Sequence, residues 1–173
     1  GGGKVAGSTI WLPRMQRVLI GVDATDTPEE GATWTLVHNI AKAVEDENTV
    51  YLSHTIVQLL PVPYRTKNCV GLVAEFATTD PEGLTARFHH LLEQYTLSGK
   101  TGMAVYTGFI PSRDLLEFGW KVKRGEINPG LLENLQDPDL RIVMKGRGII
   151  GAVAALPFYT NYTEALELCT GKT

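Results

Sequence analysis

The chain has 173 residues and a formal net charge of −3, and its composition is 43% hydrophobic and 20% charged. This composition is typical of a globular protein and argues against a disordered chain. No apolar run approaches the roughly 18 residues that span a bilayer, so no membrane association is expected. The weak negative charge argues against stable nucleic-acid binding, which needs clustered Lys and Arg. With two cysteines and no signal peptide, we expect a cytoplasmic protein.

The first residues are rich in glycine and lack an initiator methionine. We interpret residues 1–16 as the leader of a fragment whose upstream portion lies outside this sequence. Residues 17–110 are predicted to form one nucleotide-binding domain, and residues 111–173 an α/β extension of it.

Hydrophobic periodicity predicts six elements in the first domain. In chain order they are a strand at 17–22, a helix at 33–46, strands at 50–60 and 69–77, a helix from Pro81 to the Gly99 region, and a strand at 103–106. Asp80 supplies a capping side chain directly before Pro81. The order β-α-β-β-α-β predicts an α+β fold of the ferredoxin-like split β-α-β type, with four antiparallel strands and both helices on one face.

The extension is predicted to be helical with one strand. Ser112 can cap a helix that ends near Arg124, and Asn128 can cap a short second helix that begins at Pro129. Then follow a strand at 141–145, a small-residue helix at 152–156 and a final helix at 162–168.

The acidic turn, residues 23–31, is the first candidate site. Its carboxylates belong to Asp23, Asp26, Glu29 and Glu30. It lies between a buried strand and a helix, and its carboxylates and hydroxyls suit Mg²⁺, which keeps few protein ligands and binds phosphates besides. The helix start near Thr33 could offer backbone N–H groups to an anion. Alternatively, the Asp and Thr side chains form Asx-type turns and cap the helix.

Two further segments are candidates for contacts with phosphate. Residues 146–151 match G-x-G-x-x-G after a strand, but too little chain follows for a dinucleotide fold. The glycines either allow close helix–sheet packing or leave Arg147 and the helix start as an anion contact. In the polar loop at 64–68, Arg65 or Lys67 could reach a phosphate, although such loops also simply join strands.

Together the three segments resemble a known family. G-V-D-A-T-D-T at 21–27 resembles the G-I-D-D-T-D-S signature of the archaeal tRNA(Ile) agmatinylcytidine synthetases. The loop at 63–68 and the segment at 146–152 are similar to the family's P-W-K-T-R-G-N and G-R-G-x-I-G-A. With G-A-T-W at 31–34 and N-C-V at 68–70, the chain resembles methanogenesis marker protein 11 more closely still.

The resemblance implies a site for ATP and magnesium. Asp23 and Asp26 would be the metal ligands and catalytic residues. The nucleotide would be bound by Thr25, Thr27, Gly31, Thr33, Arg65, Lys67, Gly146, Arg147 and Gly148. Ala24 replaces the second Asp of the family signature, and Trp34 falls near a phosphorylatable Thr of the family. The tRNA-reading OB domain and zinc ribbon have no counterpart in this sequence.

We therefore expect an ATP-dependent, kinase-like or ligase-like transferase that acts on an unidentified acceptor linked to methanogenesis. The first alternative is a non-catalytic nucleotide-sensing domain that has lost the carboxylate at position 24. The second is a partner-binding module, which predicts a homodimer formed through a free sheet face or edge.

Overall fold

The computed structural model describes residues 2–5, 8–11, 14–25, 33–59, 70–126 and 128–159. The elements in chain order are β1 (Gly2–Val5), β2 (Ser8–Trp11), β3 (Gln16–Asp23), α1 (Thr33–Ala43), β4 (Thr49–Gln58), β5 (Val70–Thr78), α2 (Pro81–Tyr95), β6 (Gly102–Tyr106), α3 (Arg113–Lys123), α4 (Pro129–Glu133), β7 (Leu140–Lys145) and α5 (Ile149–Ala155), which continues into a 3-10 helix (Leu156–Phe158). The six elements predicted for residues 17–110 are all present. The helix predicted at 162–168 lies outside the described residues.

Strands β3 to β7 form one sheet in the order β4-β5-β3-β6-β7, and all neighbouring strands are antiparallel. Helix α1 connects β3 to β4 past the intervening β5, and α2 connects β5 to β6 past β3, so both β-α-β units are split. The predicted α+β class is confirmed. The prediction of four strands was wrong, because β7 from the extension pairs with the edge of β6 that the four-stranded sheet would leave open.

Helical layers cover both faces of the sheet, because β3 is apolar on both sides. Val18, Ile20 and Val22 pack with α1 and α2 on one face, as predicted. Leu19 belongs to the opposite core, where the apolar residues of α3, α5 and the 3-10 helix are buried. The continuous apolar run of β3 is typical of a strand that is covered on both faces.

Helix α5 approaches the sheet unusually closely. A Cβ atom placed on Gly21 of β3 would lie 2.2 Å from the carbonyl oxygen of Ala152, and one on Gly71 of β5 would lie 2.9 Å from the Cβ of Ala155. Glycines in the strands and small residues in the helix therefore permit this contact. The helix begins at Ile149, three residues earlier than predicted.

The predicted capping residues are confirmed in three helices. The side chain of Asp80 accepts a hydrogen bond from the Gly83 amide at 3.0 Å. Ser112 and Asn128 cap α3 and α4 in the same way, at 3.1 Å and 2.9 Å. Such caps satisfy amides that a helix start leaves without partners.

The glycine-rich start contains two strands that the sequence did not predict. β1 and β2 pair as an antiparallel hairpin, with Gly2 opposite Trp11. Glycine weakens the strand signal, which explains why no element was expected there. Within the described ranges, no helix combines the length and apolar character needed to cross a membrane.

Candidate functional site

Asp23 is the last residue of β3 and lies opposite Gly102, the first residue of β6. Its side chain is half-buried, and its Oδ1 accepts a hydrogen bond from the Ala24 amide at 2.6 Å. Ala24 has a φ of 61°, and it is the one non-glycine residue with positive φ within the described ranges. An alanine in this left-handed region costs roughly 1–2 kcal/mol, so other contacts must hold the turn.

Thr25 joins the turn to helix α1. Its hydroxyl donates to the Thr33 hydroxyl at 2.9 Å, and both residues are buried. Thr33 is the first residue of α1. The structure thus brings together two residues that were predicted to contact a nucleotide, and it shows their side chains bonded to each other.

We expect Thr25→Val and Thr33→Val each to lower the free energy of unfolding by about 1–2 kcal/mol, because each leaves the other hydroxyl buried without a partner. The double variant should cost less than the sum, since it removes both groups at once. Urea unfolding of the four proteins measures this coupling. Thr25→Val combined with Thr78→Val is the control pair, because Thr78 lies at the opposite end of the sheet and its cost should simply add.

A second loop, residues 96–101, contacts the backbone of Ala24 and Thr25. The Thr25 carbonyl accepts from the Leu97 amide at 2.9 Å, and the Thr96 hydroxyl oxygen lies 3.3 Å from the same carbonyl oxygen. The Thr101 hydroxyl lies 3.0 Å from the Ala24 carbonyl oxygen. Sequence reasoning missed this loop because nothing in its local pattern shows that it meets a turn more than 70 residues away.

The glycine-rich segment 146–151 packs directly against Asp23. A Cβ atom on Gly151 would lie 1.9 Å from Asp23 Oδ2, and one on Gly148 would lie 2.7 Å from the Asp23 carbonyl oxygen and 2.6 Å from the Ala24 Cβ. The lack of a side chain at Gly151 leaves room for the carboxylate, and the lack of one at Gly148 leaves room for the Asp23 backbone and the Ala24 methyl group. Two of the three predicted segments therefore lie in contact, although 125 positions separate Asp23 from Gly148.

The amides of Gly146 and Gly148 are already hydrogen-bonded within the chain. Gly146 donates to the Thr101 carbonyl at 3.2 Å, and Gly148 donates to the Lys100 carbonyl at 2.7 Å. The two glycines thus shape the site by close packing. Arg147 lies between them with an exposed side chain.

Three basic residues lie at the same end of the sheet as Asp23. Lys145 lies opposite Gly102 in the β6–β7 register, and Lys100 precedes β6 by two residues. Both side chains are exposed, as is that of Arg147. These three cations would offset the charge of a phosphate ligand at this end of the sheet.

Several predicted site residues lie outside the described residues. They are Asp26, Thr27, Gly31, Arg65 and Lys67. Within the described ranges, no group of three His, Cys, Asp or Glu side chains is placed to hold a metal ion. Of the two predicted metal ligands, the structure therefore describes Asp23 alone.

A separate polar cluster joins α1 to β4. The Tyr51 hydroxyl lies 3.2 Å from His38 Nδ1 and 2.7 Å from His54 Nδ1. Burial lowers the pKa of His54, with a further contribution from His38, and burial raises the pKa of Tyr51, with a further contribution from Glu45. These shifts favour neutral side chains, which suits a structural hydrogen-bond cluster.

A cavity of about 350 Å³ lies between the start of α2 and strands β6 and β7. Its lining includes Glu82, Thr107 and Arg141. Thr107 follows the last residue of β6, whereas Asp23 lies opposite the first. The cavity is therefore at the other end of the sheet from the acidic turn.

Nearby, burial raises the pKa of Tyr106 to about 12, and Asp137 acts in the same direction. The Tyr106 hydroxyl donates to the Ile110 carbonyl at 3.1 Å. A neutral, hydrogen-bonded tyrosine at the end of β6 fits a structural role.

Comparisons with known proteins agree with the motifs. A family model described as the TiaS TCKD domain matches residues 19–83. An uncharacterised protein of Methanocaldococcus jannaschii is 41% identical over 180 residues, which is 98% of this chain and 59% of that protein. The tRNA 2-agmatinylcytidine synthetase TiaS of Methanopyrus kandleri is 29% identical over 148 residues, 80% of this chain and 33% of the synthetase. This chain thus spans only part of each relative.

Solved structures show the same fold. The crystal structure of a complex of TiaS with an isoleucine tRNA and ATP matches with a TM-score of 0.66 at 21% identity, over 84% of this chain and 37% of that one. A complex of TiaS with the same tRNA, AMPCPP and agmatine matches with a TM-score of 0.59 at 19% identity, over 82% and 36%. The comparisons support the relationship to the agmatinylcytidine synthetases that the motifs indicated.

Proposed function

We propose that this chain, as a relative of the TiaS synthetases, binds Mg-ATP at the turn formed by residues 23–25 and transfers or hydrolyses the terminal phosphate. One observation carries the proposal. The Asp23 carboxylate lies directly against Gly151, and the Asp23 backbone lies against Gly148, so the two motifs that resemble those of an ATP-using family meet at the end of β3. The complexes of TiaS with ATP and AMPCPP support the choice of nucleotide.

The residues present fit a magnesium ion. Mg²⁺ is commonly held by one or two carboxylates together with waters and substrate phosphates, so it does not need a cage of side chains. Asp23 supplies one half-buried carboxylate, and we propose Asp26 as the second ligand. When bound, the ion would neutralise phosphate oxygens that the carboxylates would otherwise repel.

Cations near the turn would act on the phosphates. Phosphoryl transfer depends mainly on positioning and on compensation of the charge of the transferred group. Lys100, Lys145 and Arg147 provide positive charge at this end of the sheet, and we propose Arg65 and Lys67 as further contacts. In the reaction, an acceptor oxygen bonds to the terminal phosphorus, the bond to the bridging oxygen breaks, ADP leaves, and the acceptor proton passes to a carboxylate or to water.

The acceptor is proposed only as a class. The TiaS complexes contain an isoleucine tRNA and, in one of them, agmatine, whereas this chain spans about a third of those chains. Membership of the methanogenesis marker protein 11 group stays a prediction. So does the acceptor that this membership would imply, which is a cofactor, a protein or an RNA linked to methane formation. The cytoplasmic location and a homodimer also stay predictions.

A non-catalytic nucleotide-sensing domain is the second candidate. Ala24 is the observation that favours it, because a methyl group packed against Gly148 replaces the second carboxylate of the family signature. Trp34, which falls near a phosphorylatable Thr of the family, is 48% exposed and has no hydroxyl. Binding of Mg-ATP without phosphate release would support this candidate over an enzyme.

Thermal unfolding with ATP, GTP or no nucleotide, each with and without Mg²⁺, tests the proposal. ATP at about a hundred times its Kd should add roughly 2.7 kcal/mol, which corresponds to a shift of several degrees at this size. We expect the shift to require Mg²⁺ and to vanish in Asp23→Asn. Asn can still accept the Ala24 amide, so this variant should fold.

The matched control is Asp114→Asn, an exposed carboxylate in the first turn of α3. It should keep the full shift. The proposal is wrong if folded wild-type protein shows no shift with any nucleotide. It is equally wrong if Asp23→Asn responds to Mg-ATP as the wild type does.

A further inference from the structure

We propose that Thr101 is a positioning residue, whose buried hydroxyl holds Ala24 and Thr25 in the conformation that presents Asp23. The inference deepens the proposed function, and its nucleotide-binding part rests on that function. Thr101 is 3% exposed and was not among the residues that sequence analysis singled out. It immediately precedes β6, whose first residue lies opposite Asp23.

Thr101 contacts three segments of the chain. Its hydroxyl lies 3.0 Å from the Ala24 carbonyl oxygen and 2.9 Å from the Ser98 carbonyl oxygen. Its own carbonyl accepts from the Gly146 amide at 3.2 Å. One buried residue therefore links the turn, the 96–101 loop and the glycine-rich segment that packs against Asp23.

The available hydrogens determine how these bonds are arranged. The hydroxyl oxygens of Thr96 and Thr101 are 2.6 Å apart, so one of them must donate to the other. The Thr25 carbonyl near Thr96 already accepts the Leu97 amide, whereas Thr101 faces two carbonyl oxygens. We therefore assign Thr96 as donor to Thr101, and Thr101 as the donor that Ala24 and Ser98 share.

Ala24 needs such support because its positive φ is unfavourable for a residue with a Cβ. Its amide is bonded to Asp23 and its carbonyl to Thr101, so the Thr101 hydroxyl completes the restraint on the peptide groups next to the carboxylate. Without that hydroxyl, the turn can relax to a commoner conformation, and the Asp23 side chain would change direction with it.

The test compares Thr101→Val, Thr101→Ser and Thr78→Val. Valine keeps the shape of threonine without the hydroxyl, and serine keeps the hydroxyl. Thr78 is also fully buried, and its hydroxyl is hydrogen-bonded to the Thr49 hydroxyl at 2.8 Å. It lies, however, at the far end of the sheet from Asp23. Thr78→Val is therefore a matched loss of one buried hydroxyl.

The first readout is amide hydrogen exchange of the unliganded protein. We expect exchange of the Leu97 amide, which is bonded to Thr25, to accelerate about tenfold in Thr101→Val and to stay near the wild-type rate in Thr101→Ser and Thr78→Val. If Thr101→Val does not fold, Thr101→Ala replaces it, because alanine adds no new contact. We expect the same acceleration of Leu97 amide exchange in that variant. Unchanged exchange in the Thr101 variants, or equal acceleration in Thr78→Val, overturns the inference.

The second readout is the Kd for Mg-ATP. It should rise about tenfold in Thr101→Val, remain unchanged in Thr78→Val and recover in Thr101→Ser, whereas a merely structural role would affect both valine variants alike. If wild-type protein binds no nucleotide, the proposed function fails, and the exchange measurement alone decides the role of Thr101. If nucleotide binds but its Kd is the same in Thr101→Val, the positioning role is wrong.

Discussion

Gly102→Ala is expected to destabilise the protein by about 3 kcal/mol, near the upper end of the range for overpacking a core. The new Cβ would lie 2.1 Å from the Ile149 nitrogen and 2.4 Å from both the Gly148 carbonyl carbon and the Ile149 Cα. All three neighbours are backbone atoms at the start of α5, so no side chain can rotate away. Relief requires α5 to move off the sheet, which exposes the core shared with α3.

Urea and thermal unfolding measure this effect, and a loss of 3 kcal/mol corresponds to roughly 6–12 °C in Tm for a chain of this size. Gly99→Ala is the control, because a Cβ there meets no atom within 4 Å. That variant should be neutral or slightly more stable. A Gly102→Ala protein as stable as Gly99→Ala would contradict the close approach of α5 to β6.

Gly151→Ala is expected to remove the Mg-dependent stabilisation by ATP while changing the fold little. The new Cβ would lie 1.9 Å from Asp23 Oδ2, which is the far end of a side chain, so the carboxylate can move instead of the backbone. Alanine also gains about 1 kcal/mol of helix propensity over glycine, which offsets part of the collision. When a catalytic group is displaced by roughly 1 Å, the rate of the reaction can fall about a hundredfold.

Gly83→Ala is a closely matched control for this substitution. Its Cβ would lie 2.1 Å from Asp80 Oδ2, so it also pushes a carboxylate aside at the start of a helix. Asp80 caps α2 and has no part in the proposed site. Nucleotide should therefore stabilise Gly83→Ala as fully as the wild type, and an equal loss in both variants would refute a specific role for the position of Asp23.

Much of the fold could be predicted because its signals are local. The capping residues Asp80 and Ser112 mark helix starts by the chemistry of a single side chain, and the apolar run after Arg17 marks a central strand. The pairing of β7 with β6 could not be predicted in the same way. That pairing depends on which sheet edge remains open once the other strands have paired, and no local pattern records it.

The candidate site could be predicted only in part for the same reason. Asp23 and Gly148 belong to recognisable motifs, so the sequence indicated both of them. That their backbones touch follows from the docking of α5 on β3. The hydroxyls of Thr96 and Thr101 carry no motif, and their role depends on contacts with residues more than 70 positions away. The positive φ of Ala24 likewise depends on those contacts.

The wide sequence separation of the segments around Asp23 has a kinetic consequence. Contacts between residues 23–25 and 146–151 close a loop of more than 100 residues, which is entropically costly before the intervening strands have paired. These contacts around Asp23 should therefore form late in folding, after β5 and β6 have joined β3. A shorter piece that ends near residue 110 would contain Asp23 and the matched region at 19–83, but it would lack Gly148 and Gly151. The proposed binding site thus depends on the cooperative unit that includes α5, and we expect a ligand at Asp23 to slow global unfolding rather than protect one loop.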